Sequence, residues 1–224
     1  MKRRIITTAD GSKTIHLEDW NEQYHSKHGA VQEAYHVFIK HGLQSFSNQR
    51  IAILEVGFGT GLNALITLKE APRLGLDILY TGVEAFPINN AELEGLNYTE
   101  VLDAKGLEES FLSMHSAPWE EHVALTPNFS LIKMQKRFQE INAVGLFDLI
   151  YFDAFGARVQ PELWTVAIFQ KMYNALSDEG VLVTYSAKGS VRRALQEVGF
   201  RVERLPGPPG KREMLRALKT ISVS

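Results

Sequence analysis

The feature that most constrains the fold is a repeated alternation of short apolar runs with segments of helical pattern, which starts after Asn48. The apolar runs are IAILEV, LDILYTGVE, FSLIKM, LFDLIYFDAF and GVLVTYS, and the segments that follow them are NALITLKEA, NNAELEGL, a polar stretch, PELWTVAIFQKMYNAL and SVRRALQEV. Strands that are apolar throughout are buried on both faces, which is typical of a parallel sheet with helices on either side. The pattern predicts a doubly wound α/β domain.

Both ends of the chain add antiparallel elements to this prediction. FRVERL and REMLRALKTI are joined only by PGPPGK, which is too short for a crossover helix, so they form an antiparallel hairpin. Five parallel strands followed by a hairpin predict a mostly parallel, seven-stranded, Rossmann-like sheet, which resembles that of class I S-adenosylmethionine-dependent methyltransferases. At the other end, RIITTADGSKTIHL predicts a small hairpin about Asp10-Gly11.

The first 48 residues are predicted to be an appendage to this domain. After the hairpin, a helix is expected from about Gly29 to His41, with one face formed by Val31, Tyr35, Phe38 and Ile39. We therefore divide the chain into an appendage, residues 1–48, which can close over a ligand as a lid, and an α/β domain, residues 49–224. Between Asn97 and Pro127 the pattern indicates one helix and a loop.

Composition excludes several classes of protein. Hydrophobic residues make up 45% and charged residues 22% of the 224, which is ordinary for a globular chain. Cysteine is absent, which excludes disulfides, a thiolate nucleophile and a cysteine-based zinc site, and the histidines form no HExxH motif, so no metal is expected. No run approaches the roughly 20 apolar residues of a membrane span, and the N-terminus lacks a signal-peptide pattern. The expected location is the cytoplasm.

The first predicted strand of the domain leads into a loop with glycine at three alternate positions. In ILEVGFGTGLNAL, Gly57, Gly59 and Gly61 follow the strand, and Glu55 stands two residues before the first of them. Glycine permits backbone conformations and a close approach to a ligand that a side chain would prevent. In a sheet of this kind, the ligand crevice lies where the first strand turns into its helix. A small molecule is therefore expected to bind across this loop.

The residues around the loop distinguish between two cofactors. A dinucleotide-binding motif needs its third glycine five positions after the first, and that position is Leu62. A carboxylate at Glu55 would repel a pyrophosphate, whereas it attracts the cationic amino end of S-adenosylmethionine. Glu84 ends the second strand, where a carboxylate accepts hydrogen bonds from the hydroxyls of an adenosine ribose; a solvated acid is the alternative. The pattern favours S-adenosylmethionine.

Another acid follows the fourth strand, at the same edge of the predicted sheet. Asp153 comes directly after the buried run in DLIYFDAFGARVQPELW, where it would face the methyl group of the cofactor or, alternatively, only cap a turn. An aliphatic amine is protonated at neutral pH and must lose a proton before it attacks a methyl group. We therefore predict that Asp153 is catalytic. Its first role would be positioning and its second proton acceptance, because a carboxylate also raises the pKa of an amine.

Basic residues are concentrated near the C-terminus. The chain has a net charge of −2, but residues 188–219 contain nine Lys or Arg against three Glu, a local charge of +6. The overall charge argues against a protein that coats nucleic acid, whereas a localised basic surface suits contact with phosphate. A solvated face without a ligand is the alternative.

Several motifs together resemble those of a known family. They are YHSKHGAVQEAYHVF, EVGFGTGLN, VEAFP, FDAFGARVQPELWT, VTYSAKGSVRRALQEVGF and PGPPGKREML, which extend over most of the chain. The chain resembles the methyltransferase domains of the bacterial MnmC family of tRNA wobble-uridine enzymes, and most closely their stand-alone form, MnmD. The motifs after residue 150 are far more specific than the glycine loop.

This resemblance implies N-methylation of 5-aminomethyl(-2-thio)uridine in the anticodon stem-loop of tRNA, with S-adenosylmethionine as donor and Asp153 at the acceptor amine. The residues implied in cofactor binding are Tyr24, Ser26, Gly29, Glu55, Gly57, Gly59, Gly61, Asn63, Glu84 and Ala85. Those implied in contact with tRNA phosphate are Lys188, Arg192, Arg193, Lys211 and Arg212. Phe155 or Trp164 could support the unstacked base, although Trp164 also suits the core. No flavin, metal, membrane or obligate protein partner is expected.

Two features depart from the family pattern. Family sheets usually carry a Gly-Asp near the adenine after the third strand, whereas this chain has LIKMQKRFQEI, which leaves Gln135 as the candidate for that contact. The bifunctional relatives also carry a flavin oxidase domain, which the 224 residues do not include, so the aminomethyl substrate is expected to come from another enzyme or route.

Three other functions stay open at the level of sequence. A methyltransferase of a small amine metabolite would share the loop and Asp153 but would need no basic surface. A non-catalytic module that binds tRNA or senses the cofactor would use the same fold without turnover. A nicotinamide oxidoreductase is disfavoured by Leu62.

Overall fold

The computed structural model describes residues 2–220; Met1 and residues 221–224, which include the end of the predicted REMLRALKTI strand, lie outside the described range. The chain begins with a small antiparallel sheet of three strands, β1 (Arg3–Thr7), β2 (Lys13–Leu17) and β3 (Glu22–Gln23). β1 and β2 form the predicted hairpin, and β3 is an addition that the sequence pattern did not indicate. A 3₁₀ turn, Glu18–Trp20, connects β2 to β3.

Within residues 2–220, the central sheet contains eight strands, five of them parallel. They are β4 (Arg50–Val56), β5 (Asp77–Val83), β6 (His122–Thr126), β7 (Phe129–Met134), β8 (Phe147–Phe152), β9 (Leu176–Thr184), β10 (Arg201–Pro206) and β11 (Glu213–Leu218). Their order across the sheet is β10-β11-β9-β8-β4-β5-β7-β6. β4, β5, β7, β8 and β9 are parallel, and β10 and β11 form the predicted antiparallel hairpin beside β9.

Seven α-helices accompany these strands in the part of the chain that the structure describes, and short 3₁₀ turns connect several of them. The helices are α1 (Ala30–Ala34), α2 (Leu62–Leu74), α3 (Asn90–Glu94), α4 (Tyr98–Val101), α5 (Glu108–Ser116), α6 (Val166–Ala175) and α7 (Gly189–Glu197). α2 ends at Gly75, whose φ of 65° is a left-handed conformation that glycine adopts without strain. α3 begins with a capping box, in which the side chains of Asn89 and Glu92 each accept the other residue's backbone N–H.

The structure differs from the sequence-based expectation in two places along the sheet. The prediction of seven strands was one short, because His122–Thr126 pairs with β7 as an antiparallel edge strand. The polar stretch after β7 is not a helix but a 3₁₀ turn, Phe138–Glu140. This stretch has too few apolar residues for a buried helical face, and the Glu140 carboxylate accepts the backbone N–H of Arg137 at 2.7 Å, which closes a single turn.

The sheet is buried on both faces, as its apolar strands predicted. Along β4, Ile51 and Ile53 lie in one hydrophobic cluster, whereas Leu54 and Val56 lie in the cluster on the opposite face. Side chains alternate between the two faces of a strand, so Glu55 points to the same face as Ile53. Within residues 2–220, no helix combines the length and the hydropathy that a membrane span requires.

The predicted helix from Gly29 to His41 is present, and its buried face agrees with the prediction in part, since Phe38 and Ile39 are buried. α1 continues as a wider π-helical segment, Tyr35–Lys40, and the extra width changes which side chains point inward. The expected face included Val31 and Tyr35, which are only half-buried. The buried positions are Ala30, Glu33, Ala34, Val37, Phe38 and Ile39. The apolar members, such as Val37 and Phe38, share one cluster with the central sheet, so this helix packs into the core of the α/β domain.

Candidate functional site

A cavity of about 740 Å³ lies at the carboxyl edge of the central sheet. β4 pairs in register with both neighbours, so Val56 lies opposite Val83 of β5 and opposite Phe152 of β8. The loops that follow these three strands therefore begin side by side. Residues of the N-terminal segment cover them, and the cavity lies between the loops and that cover.

The glycine loop forms the floor of the cavity. Gly57 has φ of 99°, and a Cβ there would lie 2.7 Å from the backbone oxygen of Asp153, so no larger residue fits between the two loops. Gly59 has φ of 52° and lies against the ring of Tyr24, which a Cβ would approach to 3.1 Å. Both glycines line the cavity, as the sequence predicted.

Two carboxylates are connected through one amide at the centre of the site. The Nδ2 atom of Asn63 donates to Glu55 Oε1 at 2.9 Å and to Asp153 Oδ2 at 2.9 Å. Glu55 is 1% exposed and also accepts the hydroxyl hydrogen of Tyr80 at 2.8 Å. With the amide in this orientation, Asn63 Oδ1 is buried without a hydrogen-bond partner. The cavity therefore contains an unsatisfied acceptor beside two acids, which suits a ligand that donates hydrogen bonds and carries positive charge.

Burial raises the pKa of both acids. Desolvation raises the pKa of Glu55 well above its usual value, and the charges of Asp153 and Glu84 add to the rise, while the hydrogen bonds from Asn63 and Tyr80 oppose it. Desolvation, followed by the charge of Glu33, raises the pKa of Asp153 to about 7. The hydrogen bond from Asn63 and the charge of Lys211 act in the other direction. Asp153 can therefore gain or lose a proton near neutral pH.

Glu84 stands after β5 on the other side of the glycine loop. Its Oε2 accepts the backbone N–H of Gly59 at 3.0 Å and its Oε1 accepts that of Phe86 at 2.8 Å. These two bonds fix the carboxylate, and each oxygen keeps a lone pair for one further hydrogen bond. Ala85 and Phe86 continue the cavity wall from this point.

The N-terminal segment covers the cavity with aromatic side chains. Tyr24 and Trp20 both contact the ring of Phe155 edge-on, with centroids 5.0 and 5.6 Å away. Two arginines fasten this cover. Arg3 donates to the backbone oxygens of Phe86 and Pro87 and to Glu92, and Arg158 donates to Glu22 and to the backbone oxygens of Trp20 and Asn21. The loops after β5 and β8 are thus each tied to the cover.

An ion pair joins the cover to the turn between β10 and β11. The Glu33 carboxylate accepts the ammonium of Lys211 at one oxygen and the backbone N–H of Ser26 at the other, the latter at 2.8 Å. The Lys211 ammonium also lies 3.8 Å from the centre of the Tyr185 ring. Glu33, Ser26, Tyr185 and Lys211 all line the cavity.

Three residues predicted to contact the cofactor lie outside the cavity wall. Gly61, with φ of 73°, begins α2 against the ring of His115, and Gly29 packs against Asp10. Gln135 lies beyond the cavity, with its backbone N–H donating to Glu120. Because the segment after β7 forms a 3₁₀ turn, it presents Arg137, Phe138 and Gln139 to the cavity instead.

The predicted basic residues near the C-terminus divide into two groups. Lys211 is part of the cavity wall, as described above. Lys188, Arg193 and Arg212 are exposed, and Arg192 is half-buried with its Nε lacking a hydrogen-bond partner. Among residues 2–220, none of these four forms an ion pair. Lys188 follows Tyr185 of the cavity wall by three residues, so α7 begins beside the cavity.

Some residues of the site were missed at the level of sequence. Glu33, Tyr185, Trp20 and Phe138 line the cavity but were not predicted to. A signal existed for Glu33, because it falls between Ala30 and Ala34 at a spacing that places all three on one helical face, and a charge on such a face is unusual. Among the described residues, no three His, Asp or Glu side chains are grouped closely enough to hold a metal ion.

Comparison with known proteins identifies the class that this fold and site define. The model of a family described as S-adenosyl-L-methionine-dependent methyltransferases matches residues 108–220. The chain belongs to this family, and S-adenosylmethionine is its cofactor. The solved spermidine synthase from Thermotoga maritima, at 15% identity and a TM-score of 0.52 over 98% of this chain and 73% of its own, shares the fold. The predicted fold class is confirmed.

More particular relatives agree with the family resemblance found in the motifs. The tRNA 5-methylaminomethyl-2-thiouridine biosynthesis bifunctional protein MnmC of Hydrogenovibrio crunogenus is 29% identical over 95% of this chain and 33% of its own length. The protein of that name from Paraburkholderia phymatum is 30% identical over 88% and 32%. The crystal structure of MNMC2 from Aquifex aeolicus has a TM-score of 0.77 at 26% identity, over 99% of this chain and 73% of its own. The chain thus spans about a third of the curated relatives, and the predicted resemblance to MnmC methyltransferase domains is confirmed.

The residues present fit S-adenosylmethionine. The orphan Oδ1 of Asn63 is an acceptor for an ammonium group, and the carboxyl groups of Glu55 and Asp153 lie beside it, where a bound cation would favour their ionised forms. Glu84 has lone pairs for ribose hydroxyls. These features favour a cation with a ribose over a pyrophosphate.

Proposed function

We propose that this chain is a tRNA methyltransferase that acts in the cytoplasm. It transfers a methyl group from S-adenosylmethionine to the amine of 5-aminomethyl(-2-thio)uridine, at the wobble position of the anticodon stem-loop. The observation that carries the proposal is a carboxylate-lined cavity, suited to a cationic amine, beside the unpaired basic side chains at and around α7. The names of the MnmC relatives support the choice of substrate.

In this proposal each part of the cavity has one task. Glu84 and Ala85 hold the ribose, and Glu55 and Asn63 hold the cationic amino acid end. Tyr24 and Ser26, from the appendage of residues 1–48, cover the cofactor on the domain of residues 49–224. S-adenosylmethionine supplies an electrophilic methyl group. The turn Phe138–Glu140, rather than Gln135, is the proposed neighbour of the adenine. The remaining space beside Asp153 belongs to the acceptor.

Asp153 is the proposed catalytic residue. Its carboxylate accepts a hydrogen bond from the acceptor ammonium, orients it toward the methyl group and takes up one of its protons. The nitrogen lone pair that this frees can then attack the methyl group, and the bond between that methyl group and the sulfonium sulfur breaks, which leaves a neutral thioether. Of the two aromatic candidates for the uracil ring, Phe155 is the one proposed to flank it. Trp164 is buried in the core and donates its Nε1 hydrogen to the backbone oxygen of Phe155 at 2.7 Å. Trp164 therefore holds the loop that carries Phe155 and does not reach the substrate itself.

The proposal predicts the pH dependence of kcat/KM. The pKa of Asp153 is about 7, so the ionised form that accepts the proton is lost below that pH, and the rate falls about tenfold per pH unit. Between pH 7 and the pKa of the amine, about 10, the profile is flat. In this range Asp153 is ionised and the amine is protonated, so the proton passes from the amine to Asp153 and the solvent pH does not affect the rate. A rate that continues to rise above pH 7 would mean that the proton goes to water and that Asp153 only positions the amine.

Reversing the charge of α7 distinguishes tRNA from a small acceptor. We expect Arg192→Glu/Arg193→Glu to raise the KM for tRNA by roughly 10- to 100-fold and to flatten its salt dependence, because phosphate contacts supply most of the affinity. The control is Arg50→Glu/Arg73→Glu, which makes the same charge change at two exposed residues that pair only with Asp77 and Glu70. An equal effect of both variants would exclude a specific tRNA surface on α7.

The direct test is a radiolabelled methyl-transfer assay. The substrate is tRNA from cells that lack this gene, and the labelled nucleosides are then separated. Label in 5-methylaminomethyl(-2-thio)uridine supports the proposal, and absence of label from wobble uridines rejects it. If small amines are labelled instead, and Arg192→Glu/Arg193→Glu leaves that activity unchanged, the chain is a small-amine methyltransferase.

A further inference from the structure

The ion pair between Glu33 and Lys211 is unusual among the ion pairs of residues 2–220. In most of the others the cation is more than half exposed, whereas the Lys211 side chain is 32% and the Glu33 side chain 8% exposed; Arg3–Glu92 and Arg216–Glu203 are shielded as well. A carboxylate taken out of water adds little net stability through an ion pair, because it loses its hydration. A residue pair that only fastened the cover could be apolar. Its charges therefore need another explanation.

The surroundings of the Lys211 ammonium are those of a cation-binding site. The Glu33 carboxylate accepts from it, and the Tyr185 ring lies 3.8 Å away, within the range of a cation–π interaction. The Tyr185 hydroxyl donates to the backbone oxygen of Ala154 at 2.7 Å, which fixes the ring next to the loop of Asp153. The Glu33 carboxylate is held in turn by the backbone N–H of Ser26. Carboxylate and ring are both fixed before any ligand arrives.

This cation site and Asp153 belong to the same part of the cavity. Glu33 and Lys211 both act electrostatically on Asp153, with opposite signs, and all three residues line the cavity with Tyr185. An alkylammonium group that reaches Asp153 from solvent thus meets a second carboxylate and an aromatic face. The Lys211 side chain already places an alkylammonium there.

We propose that Glu33 and Tyr185 form, with Asp153, the binding subsite for the ammonium group of the acceptor, and that the Lys211 ammonium occupies this subsite until the acceptor displaces it. The proposal rests on an amine acceptor, as in the proposed function, but not on tRNA. Displacement frees Lys211 at the turn next to Arg212, where it can meet phosphate. Its predicted contact with tRNA and its place in the cavity are then two states of one side chain.

The test uses n-butylammonium as the probe and n-butanol as its neutral counterpart, titrated calorimetrically into the protein. A site already filled by a side chain binds a competing cation weakly, because only the displaced fraction is competent. We expect Lys211→Met to bind n-butylammonium at least about fivefold more tightly than the unaltered chain, with n-butanol unaffected. Glu33→Gln/Lys211→Met should lose this gain, because the carboxylate that pairs with the cation is gone.

Arg216→Met is the matched control. Arg216 also forms an ion pair within the β10–β11 hairpin, with Glu203 at 2.8 Å, and its side chain is about as exposed as that of Lys211, 28% against 32%. It should leave n-butylammonium binding unchanged. If Lys211→Met is folded by its thermal transition and binds the probe no more tightly than Arg216→Met does, the pair is only a structural fastening and the proposal is overturned.

The outcome is independent of the tRNA assay. Tighter binding by Lys211→Met together with no transfer to tRNA would keep the subsite and assign it to a different amine. Transfer to wobble uridine without tighter binding would keep the proposed function and reject the subsite.

Discussion

Asp153→Asn is expected to reduce methyl transfer by about 10³-fold, within the range typical of a lost acid–base group, and to make the protein more stable at pH 8. Asparagine preserves the shape and can still accept the hydrogen bond from Asn63 Nδ2, so the cavity is retained. It can neither take up a proton nor balance a positive charge. Single-turnover methyl transfer measures the loss of catalysis, and equilibrium binding of S-adenosylmethionine shows whether the cavity is retained.

The gain in stability follows from the pKa of Asp153. Folding raises this pKa from 3.8 to about 7, so the folded state binds the proton more tightly than the unfolded state does. The contribution of Asp153 to the free energy of unfolding is therefore fully present below pH 4. It decreases as the pH rises and is smallest above pH 7. An uncharged side chain avoids this loss. The Tm of Asp153→Asn should exceed that of the unaltered chain by roughly 3–6 °C at pH 8 and match it at pH 4. A lower Tm at pH 8 would show that the carboxylate stabilises the fold.

Gly57→Ala is expected to have the second largest effect. The new Cβ would lie 2.7 Å from the backbone oxygen of Asp153, and alanine is strained at φ of 99°. The two loops must separate, which destabilises the fold by roughly 2–4 kcal/mol and moves Asp153 away from Asn63. We expect the Tm to fall by roughly 5–12 °C and the Kd for S-adenosylmethionine to rise at least about 30-fold, about 2 kcal/mol.

Gly106→Ala is the control for this experiment. A Cβ at Gly106 meets no atom within 4 Å, and its φ lies outside the left-handed region. The same chemical change should therefore leave both Tm and cofactor affinity unaltered. If Gly57→Ala binds S-adenosylmethionine as tightly as Gly106→Ala does, the glycine loop is not the floor of the cofactor site.

The parts of the fold that could be predicted are those with strong local patterns. Continuous apolar runs predicted the five parallel strands, and the short PGPPGK link predicted the final hairpin. β6 was missed because His122–Thr126 is a half-exposed edge strand without an alternating apolar pattern. The buried face of the N-terminal helix was predicted only in part, with Phe38 and Ile39 buried but Val31 and Tyr35 half-buried. The rest was missed because the change to π-helical geometry depends on packing and not on residue spacing.

The same distinction applies to the site. Glu55, Gly57, Glu84 and Asp153 lie at strand ends, and parallel topology brings strand ends together, so sequence was enough to group them. The Glu33–Lys211 pair joins residues from opposite ends of the chain, and no local pattern reports such a contact. Gln135 was predicted from its position after the third parallel strand, but the 3₁₀ turn after β7 presents Arg137, Phe138 and Gln139 to the cavity instead.

The wide separation of the cavity walls along the chain has a consequence for biosynthesis. The first wall residue is Arg3 and the last is Lys211, so a nascent polypeptide cannot finish the pocket until the β10–β11 turn has emerged from the ribosome. Fragments released earlier would carry the glycine loop and Asp153 but would lack the part of the wall that contains Lys211. The acceptor end of the cavity is therefore completed last, after all the residues proposed to bind the methyl donor have been synthesised.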